Sequence, residues 1–180
     1  MSCPPLIGAD WPTELADMKA SFAGRLNVYR VMAHHPALVR AWAPLREHIV
    51  LRNSLGAQRS EVVILRTGHR MGAEYEWAHH ISRGRACGMA DARIASIAGP
   101  LDGMEPEDAV IAGAVDALID DHHLPEPKRA ALQALVGVEG VFDVMATVGF
   151  YSTLAFIVRT FDTPLDPDVA AELAQRPLGT

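Results

Sequence analysis

Two glycines, Gly72 and Gly88, constrain this chain more than any other feature. Gly72 ends a run that reads as a helix over Glu61–Met71, and Gly88 ends a second over Glu74–Cys87. A glycine just past a helix adopts the left-handed conformation that closes the last turn without a Cβ clash. Almost nothing separates the first glycine from the second helix. The two helices must therefore fold back on one another as a tight hairpin.

The second arm of that hairpin carries Ala73-Glu74-Tyr75-Glu76-Trp77-Ala78-His79-His80. Glu76 and His80 are four residues apart, so on a helix they share a face and are placed to hydrogen-bond. On an open helix surface such a pair contributes about 0.5 kcal/mol or less. In a pocket it is a starting point for general acid–base chemistry. Imidazole titrates near neutrality, and burial raises a carboxyl pKa, so either partner can be set to transfer a proton. Glu61 falls early in its own helix, where a carboxylate suits the positive dipole end. It takes a functional role only if it points across the hairpin toward His80. His79 diverges from His80 by about 100° and reads as solvated.

The rest of the chain is helical in pattern. Ile111, Ala114, Val115, Leu118 and Ile119 form an apolar stripe inside a helix expected over Glu105–Asp121. Pro36 starts a helix running toward Leu51, with a kink or break expected at Pro44. Shorter helices are expected over Ala90–Ile97 and Pro127–Leu135, and a longer one over Gly140–Arg159. The run Val62-Val63-Ile64-Leu65 also suits a buried strand, but its helical flanks and Gly72 favour helix. No segment alternates with period two, so the fold class is all-α, one domain over 26–162. Residues 1–25 and 163–180 are Pro-rich or irregular and read as terminal arms, of a kind that packs on neighbouring subunits.

Charge narrows the partners. The net charge is −6, and Lys128, Arg129 and Arg159 are the only cations between Gly99 and Arg159, so no nucleic-acid footprint is present. No apolar run reaches the roughly 18–20 residues of a spanning helix, and no basic-then-apolar leader opens the chain. Cys3 and Cys87, far apart, read as reduced thiols of a cytoplasmic protein. There is no Cys-x-x-Cys.

The run Glu61-Val-Val-Ile-Leu-Arg66, then Glu74-Tyr-Glu-Trp77, His80 and Gly88, resembles the carboxymuconolactone decarboxylase family, whose superfamily includes the AhpD-type alkylhydroperoxidases. His35-Pro36 upstream and Val148-Gly149-Phe150-Tyr151 downstream fit the same pattern, so the resemblance spans about residues 27–165. It implies an AhpD-like helical bundle with a central helical hairpin. It also implies a homo-oligomer, from dimer to hexamer, with a pocket at Glu61, Glu76 and His80. In the AhpD branch two cysteines occupy the positions of Ala73 and Glu76. Here both thiols are gone, and neither replacement is a thiolate nucleophile.

These readings combine into one expectation: cofactor-free acid–base chemistry on a small acidic or lactone-like molecule. His80 moves the proton, Glu76 orients it, and Glu61 with Tyr75 stabilises the developing enolate. Tyr75, Arg66, His69 and Tyr151 are the candidate substrate-binding residues, with Arg66, Arg83 and Arg85 the cations nearest in sequence. No metal is expected, since the pairs His34-His35 and His122-His123 diverge on a helix and no His-Glu-x-x-His occurs. The rival readings are a thiol peroxidase that relies on Cys87 or Cys3, and a non-catalytic helical binding oligomer.

Overall fold

The computed structural model describes residues 6–179. In chain order the helices are α1 (Ala16–Lys19), α2 (Asn27–Met32), α3 (Pro36–Glu47), α4 (Ala57–Arg70), α5 (Glu74–Ala86), α6 (Asp91–Ser96), α7 (Pro106–Asp120), α8 (Glu126–Thr160) and α9 (Pro167–Gln175). No strand occurs among the described residues, and the fold class is all-α as the sequence implied.

Helix α4 is the axis. Its residues Val62 to Gly68 are all buried, because α5, α7 and α8 pack around it. An enclosed helix needs an unbroken apolar run rather than a stripe, which accounts for the strand-like Val62–Leu65 segment. The hairpin forms at the expected glycines. Gly72 (φ 60°) donates to the His69 carbonyl and Ala73 to that of Gly68; Gly88 (φ 87°) and Met89 repeat the pattern on Arg85 and Gly84. Both are Schellman closures. Gly68 brings the arms together: a Cβ there would lie 3.3 Å from the Trp77 amide nitrogen and 3.4 Å from the Glu76 Cβ.

Two boundaries differ from the sequence reading. Helix α4 begins at Ala57, behind Gly56 (φ 79°), so Glu61 lies beyond the first turn and outside the reach of the dipole. The disruption expected at Pro44 falls later: α3 continues through Pro44 to Glu47 and then widens into a π turn over His48–Arg52. The two helices expected over 127–135 and 140–159 both form: α8 is two helical segments that meet at a kink at Gly137 (φ 74°).

The segments read as arms each place a few residues in the interior. Leu15, Met18 and Ala23 are buried with α2, α3 and the second half of α8. Past Thr163 the chain returns to the hairpin and α9 packs on α5. Two apolar clusters result. One joins the N-terminal elements to Ile64, Tyr75 and Tyr151; the other joins Val62, Val63 and Leu65 to α6, α7 and the middle of α8. Among the described residues one helix, α8, is long and apolar enough to cross a membrane by length and composition alone, and 56% of its most apolar window is buried in the protein.

Candidate functional site

The hairpin brings Glu61, Glu76 and His80 together, but in a different arrangement from the one expected. His80, on α5, is buried, and its Nδ1 lies 2.6 Å from Oε2 of Glu61 on α4. The carboxylate only accepts, so Nδ1 donates and a neutral ring carries its lone pair on Nε2. Nε2 faces Glu76 at 3.8 Å from its Oε2, too far for a hydrogen bond. Glu61, not Glu76, therefore orients the imidazole. Tyr151 stands edge-on to the His80 ring, with centroids 5.1 Å apart.

Glu76 is the unusual group. It is 4% exposed, and among the described residues its Oε1 has no hydrogen-bond partner. Burial pushes its pKa up, and the nearby His80, His79 and Arg83 only partly oppose that. A carboxyl raised in this way keeps its proton to higher pH than an ordinary glutamate, and in its protonated form it can donate that proton. Burial, followed by the fields of Glu76 and Glu61, likewise holds the Tyr151 phenol well above its usual range.

A titration consequence follows from Glu76. The folded protein keeps this proton to higher pH than the unfolded chain does. Its contribution to stability is therefore full below the ordinary glutamate range and declines as pH rises toward the folded pKa. The decline is at most about 1.4 kcal/mol per pH unit. Glu76→Gln removes that slope. Chemical denaturation of both proteins from about pH 4 to pH 8 should show curves that diverge upward in pH, with the variant gaining; parallel curves would contradict a raised Glu76.

Two spaces meet at His80. A small cavity of about 60 Å³ is lined by Tyr29, Glu76 and His80, with Phe22, Phe150 and Leu154 as apolar wall. A cleft of about 420 Å³ opens on the other side, lined by Ser60, Glu61, His80 and Cys87. The cleft lies in the roughly 300–1,000 Å³ range of small-molecule sites. Val50, His80, Arg83 and Tyr151 border both. Arg83 is exposed and forms no ion pair among the described residues. A second cation, Arg46, borders the small cavity and lies 3.8 Å from the centroid of the Phe22 ring.

Three of the expected binding residues are committed elsewhere. Arg66 is 6% exposed, paired bidentately with Asp116 and bonded to the carbonyls of Ile97 and Gly99, so it ties α4 to α7 and faces away from the site. His69 lies against Trp77 on the far side of the hairpin, where burial lowers its pKa. Tyr75 borders the small cavity with its ring, but its hydroxyl donates to Asp166 Oδ2 at 2.9 Å. Arg85, the third nearby cation, is paired with Asp91 and Glu172. Cys87 opens into the cleft, yet its thiol donates to the Gly84 carbonyl and burial raises its pKa.

Asp166, absent from the sequence reading, organises the neighbourhood. It occupies the N-cap position of α9 but does not cap it. Its carboxylate instead accepts from the Asn27 backbone N–H, the Tyr75 hydroxyl and His79 Nε2 at 2.8–2.9 Å. His79 is thus buried rather than solvated, and its Nδ1 faces the Tyr75 carbonyl at 2.7 Å. Both ring nitrogens face acceptors, a pattern that only the doubly protonated ring fills completely. The Asp-Pro at 166–167 is a helix-start signal that sequence reading could have used; nothing local shows that its carboxylate turns inward. Among the described residues, no group of three or more His, Cys, Asp or Glu side chains could hold a metal ion.

Residues 36–118, from α3 through most of α7, match the model of the carboxymuconolactone decarboxylase family. That stretch contains Glu61, Glu76 and His80. The match covers somewhat less than half of the chain, and the whole chain has an AhpD-like all-α fold. The fold is shared with the debrominase Bmp8, crystallised with 2,3,4-tribromopyrrole (TM-score 0.77, 14% identity, covering 97% of this chain and 99% of that one). It is shared with an alkylhydroperoxidase AhpD-core, peroxidase-related protein from Ralstonia eutropha JMP134 (TM-score 0.76, 16% identity, 94% and 93%). A peroxidase-related protein from Silicibacter sp. TM1040 has it as well (TM-score 0.79, 12% identity, 93% and 93%). Among curated proteins, none matches the sequence.

Proposed function

We propose that the protein is a cofactor-free acid–base enzyme of the carboxymuconolactone decarboxylase type, acting on a small carboxylated molecule. The observation that carries this reading is the opposition of His80 and Glu76. One side of the imidazole is held by Glu61, and the other presents a lone pair to a buried neutral carboxyl across a small cavity. A base and an acid so placed act on opposite ends of an enolisable unit. His80 Nε2 takes a proton from carbon, or returns one to the carbanion left when carbon dioxide departs. Glu76 donates to the developing enolate oxygen, which costs little reorganisation because its side chain is already buried in place. Arg83 at the junction of cavity and cleft, with Arg46 beyond it, supplies charge for a substrate carboxylate. Tyr75 drops out of the scheme because its hydroxyl is engaged, and Glu61 moves from enolate stabiliser to orienting group.

The other two readings fit less well. A thiol peroxidase needs a reactive thiolate, and Cys87 has its pKa raised by burial. A purely structural hairpin would satisfy its own polar atoms, whereas Glu76 Oε1 is left without a partner beside a cavity.

The test is carbon–hydrogen exchange. The protein is incubated in deuterated buffer with a panel of small lactone and β-keto acids, and deuterium uptake at carbon is followed by mass spectrometry. Uptake above the buffer rate, reduced at least about tenfold in Glu61→Gln, supports the scheme. Uptake unaffected by that change would remove Glu61 from it. No uptake or decarboxylation with any acid in the panel would count against acid–base chemistry.

A further inference from the structure

His79 is buried, borders the small cavity and has no part in the acid–base scheme. It follows Glu76 by three residues on α5, so the two are neighbours on the helix surface, with Cβ atoms about 5–6 Å apart. Three contacts fix its ring. Nε2 faces Asp166 Oδ2 at 2.8 Å, Nδ1 faces the Tyr75 carbonyl at 2.7 Å, and the Tyr75 ring stacks on it with centroids 4.0 Å apart. Against the opposing effect of burial, hydrogen bonds from His79, the Asn27 backbone N–H and Tyr75 hold Asp166 as the carboxylate. A neutral ring would set its lone pair against that carboxylate or against the carbonyl, and only the imidazolium donates to both. The segment ahead of α9 thus clamps a positive charge beside Glu76.

We propose that His79 is a positioning residue of the site: clamped as an imidazolium by Asp166, it stabilises the Glu76 carboxylate left when Glu76 gives up its proton. The inference rests on the acid–base reading of Glu76 above. A buried acid with no cation near it is a poor donor, because the carboxylate it leaves is desolvated and unpaired. Something must meet the new charge. The charged groups facing Glu76 are His80, His79 and Arg83 on α5, Arg46 on α3 at the cavity border, and Asp166 ahead of α9. The phenols of Tyr29, Tyr75 and Tyr151 also face it, and burial pushes their ionisation up, so they stay uncharged. His80 carries charge only after it has taken a proton, while Arg83 is exposed and set to meet the substrate. His79 is charged throughout, and a fixed charge in a buried site needs no reorganisation when the proton moves. Asp166 opposes it, but at Glu76 the attraction of His79 exceeds the repulsion of Asp166. Two protons move in the step, one from carbon to His80 Nε2 and one from Glu76 to the enolate oxygen; His79 exchanges neither. The C-terminal segment thereby joins the active site through a charge rather than through contact with substrate.

NMR on the full chain reads both halves of the proposal. In the wild type at about pH 7, the imidazole nitrogen-15 shifts of His79, assigned through contacts to the Tyr75 ring, should be those of a ring protonated at both nitrogens. In His79→Gln, whose amide can still donate to Asp166, the Glu76 carboxyl should ionise at higher pH than in the wild type. Deuterium uptake by the most active acid of the lactone and β-keto acid panel should fall about tenfold or more in kcat, with KM little changed, as expected for loss of an opposite charge within about 4–6 Å. A purely structural histidine would lower stability and leave the Glu76 titration in place. A wild-type His79 with one unprotonated nitrogen at about pH 7 overturns the proposal, as does a Glu76 titration unmoved in His79→Gln. A wild-type Glu76 that ionises with ordinary glutamates would overturn the acid–base reading and this proposal with it, so the two failures are told apart in the same spectra. Should His79→Gln fail to fold, the wild-type nitrogen shifts still decide.

Discussion

Replacing His80 by Gln should lower turnover of the exchanged or decarboxylated acid by about 10²- to 10⁴-fold while the protein stays folded, because a positioned general base supplies a factor of that size. Glutamine is the informative substitution. Its amide has donors that can still meet Glu61, so the α4–α5 contact survives, but it has no basic nitrogen to face Glu76. Circular dichroism and the denaturation midpoint should change little. If chemistry belonged to the cleft side alone, through Arg83 or Cys87, turnover in His80→Gln would remain near the wild-type value. That result would remove His80 from the mechanism and with it the acid–base assignment.

The second large effect is on stability, at Asp166. This carboxylate is 1% exposed and accepts three hydrogen bonds from two elements: one at the start of α2 from the Asn27 backbone N–H, and two on α5 from Tyr75 and His79. Removing the carboxylate leaves a backbone N–H, a phenol and an imidazole nitrogen buried without their acceptor, at a cost of about 1–3 kcal/mol each. Asp166→Ala should therefore take away a large part of a domain stability that is ordinarily about 5–15 kcal/mol. Denaturant titration measures it directly. The pH dependence has a definite sign. The hydrogen bonds from His79, the Asn27 amide and Tyr75 hold the Asp166 pKa below the usual aspartate value against the opposing effect of burial. Its contribution is therefore present above the unfolded aspartate pKa and is lost as pH falls through the lower folded value. Asp166→Ala should flatten the acid limb of the stability curve. A variant as stable as the wild type would mean that the C-terminal segment merely rests on the hairpin.

The sequence disclosed the hairpin because its two closures depend on local chemistry. Gly72 and Gly88 are read from their neighbours alone, and both adopt the left-handed conformation expected of them. The all-α class was legible for the same reason. The pairing within the site was not. Spacing along α5 favoured a Glu76–His80 hydrogen bond, but Gly68 draws the arms so close that Glu61 reaches His80 first, and no one-dimensional pattern encodes that approach. Arg66 shows the same limit. As a cation near the motif it suited a substrate clamp, yet its side of α4 faces Asp116, fifty residues away. Asp166 and His79 meet across 87 residues, so their bond became visible only once the C-terminal segment was seen to fold back.

The central claim is that the site holds a neutral acid, Glu76, opposite the free nitrogen of a histidine fixed by Glu61. Its most direct test is a carbon-detected NMR titration of the glutamate side-chain carboxyls, with Glu76 assigned by its loss in Glu76→Gln. The account predicts that the Glu76 carboxyl keeps the shift of the protonated acid as pH rises through the range where ordinary glutamates ionise, and moves only above it. A Glu76 signal that titrates with the surface glutamates, or below them, would contradict it.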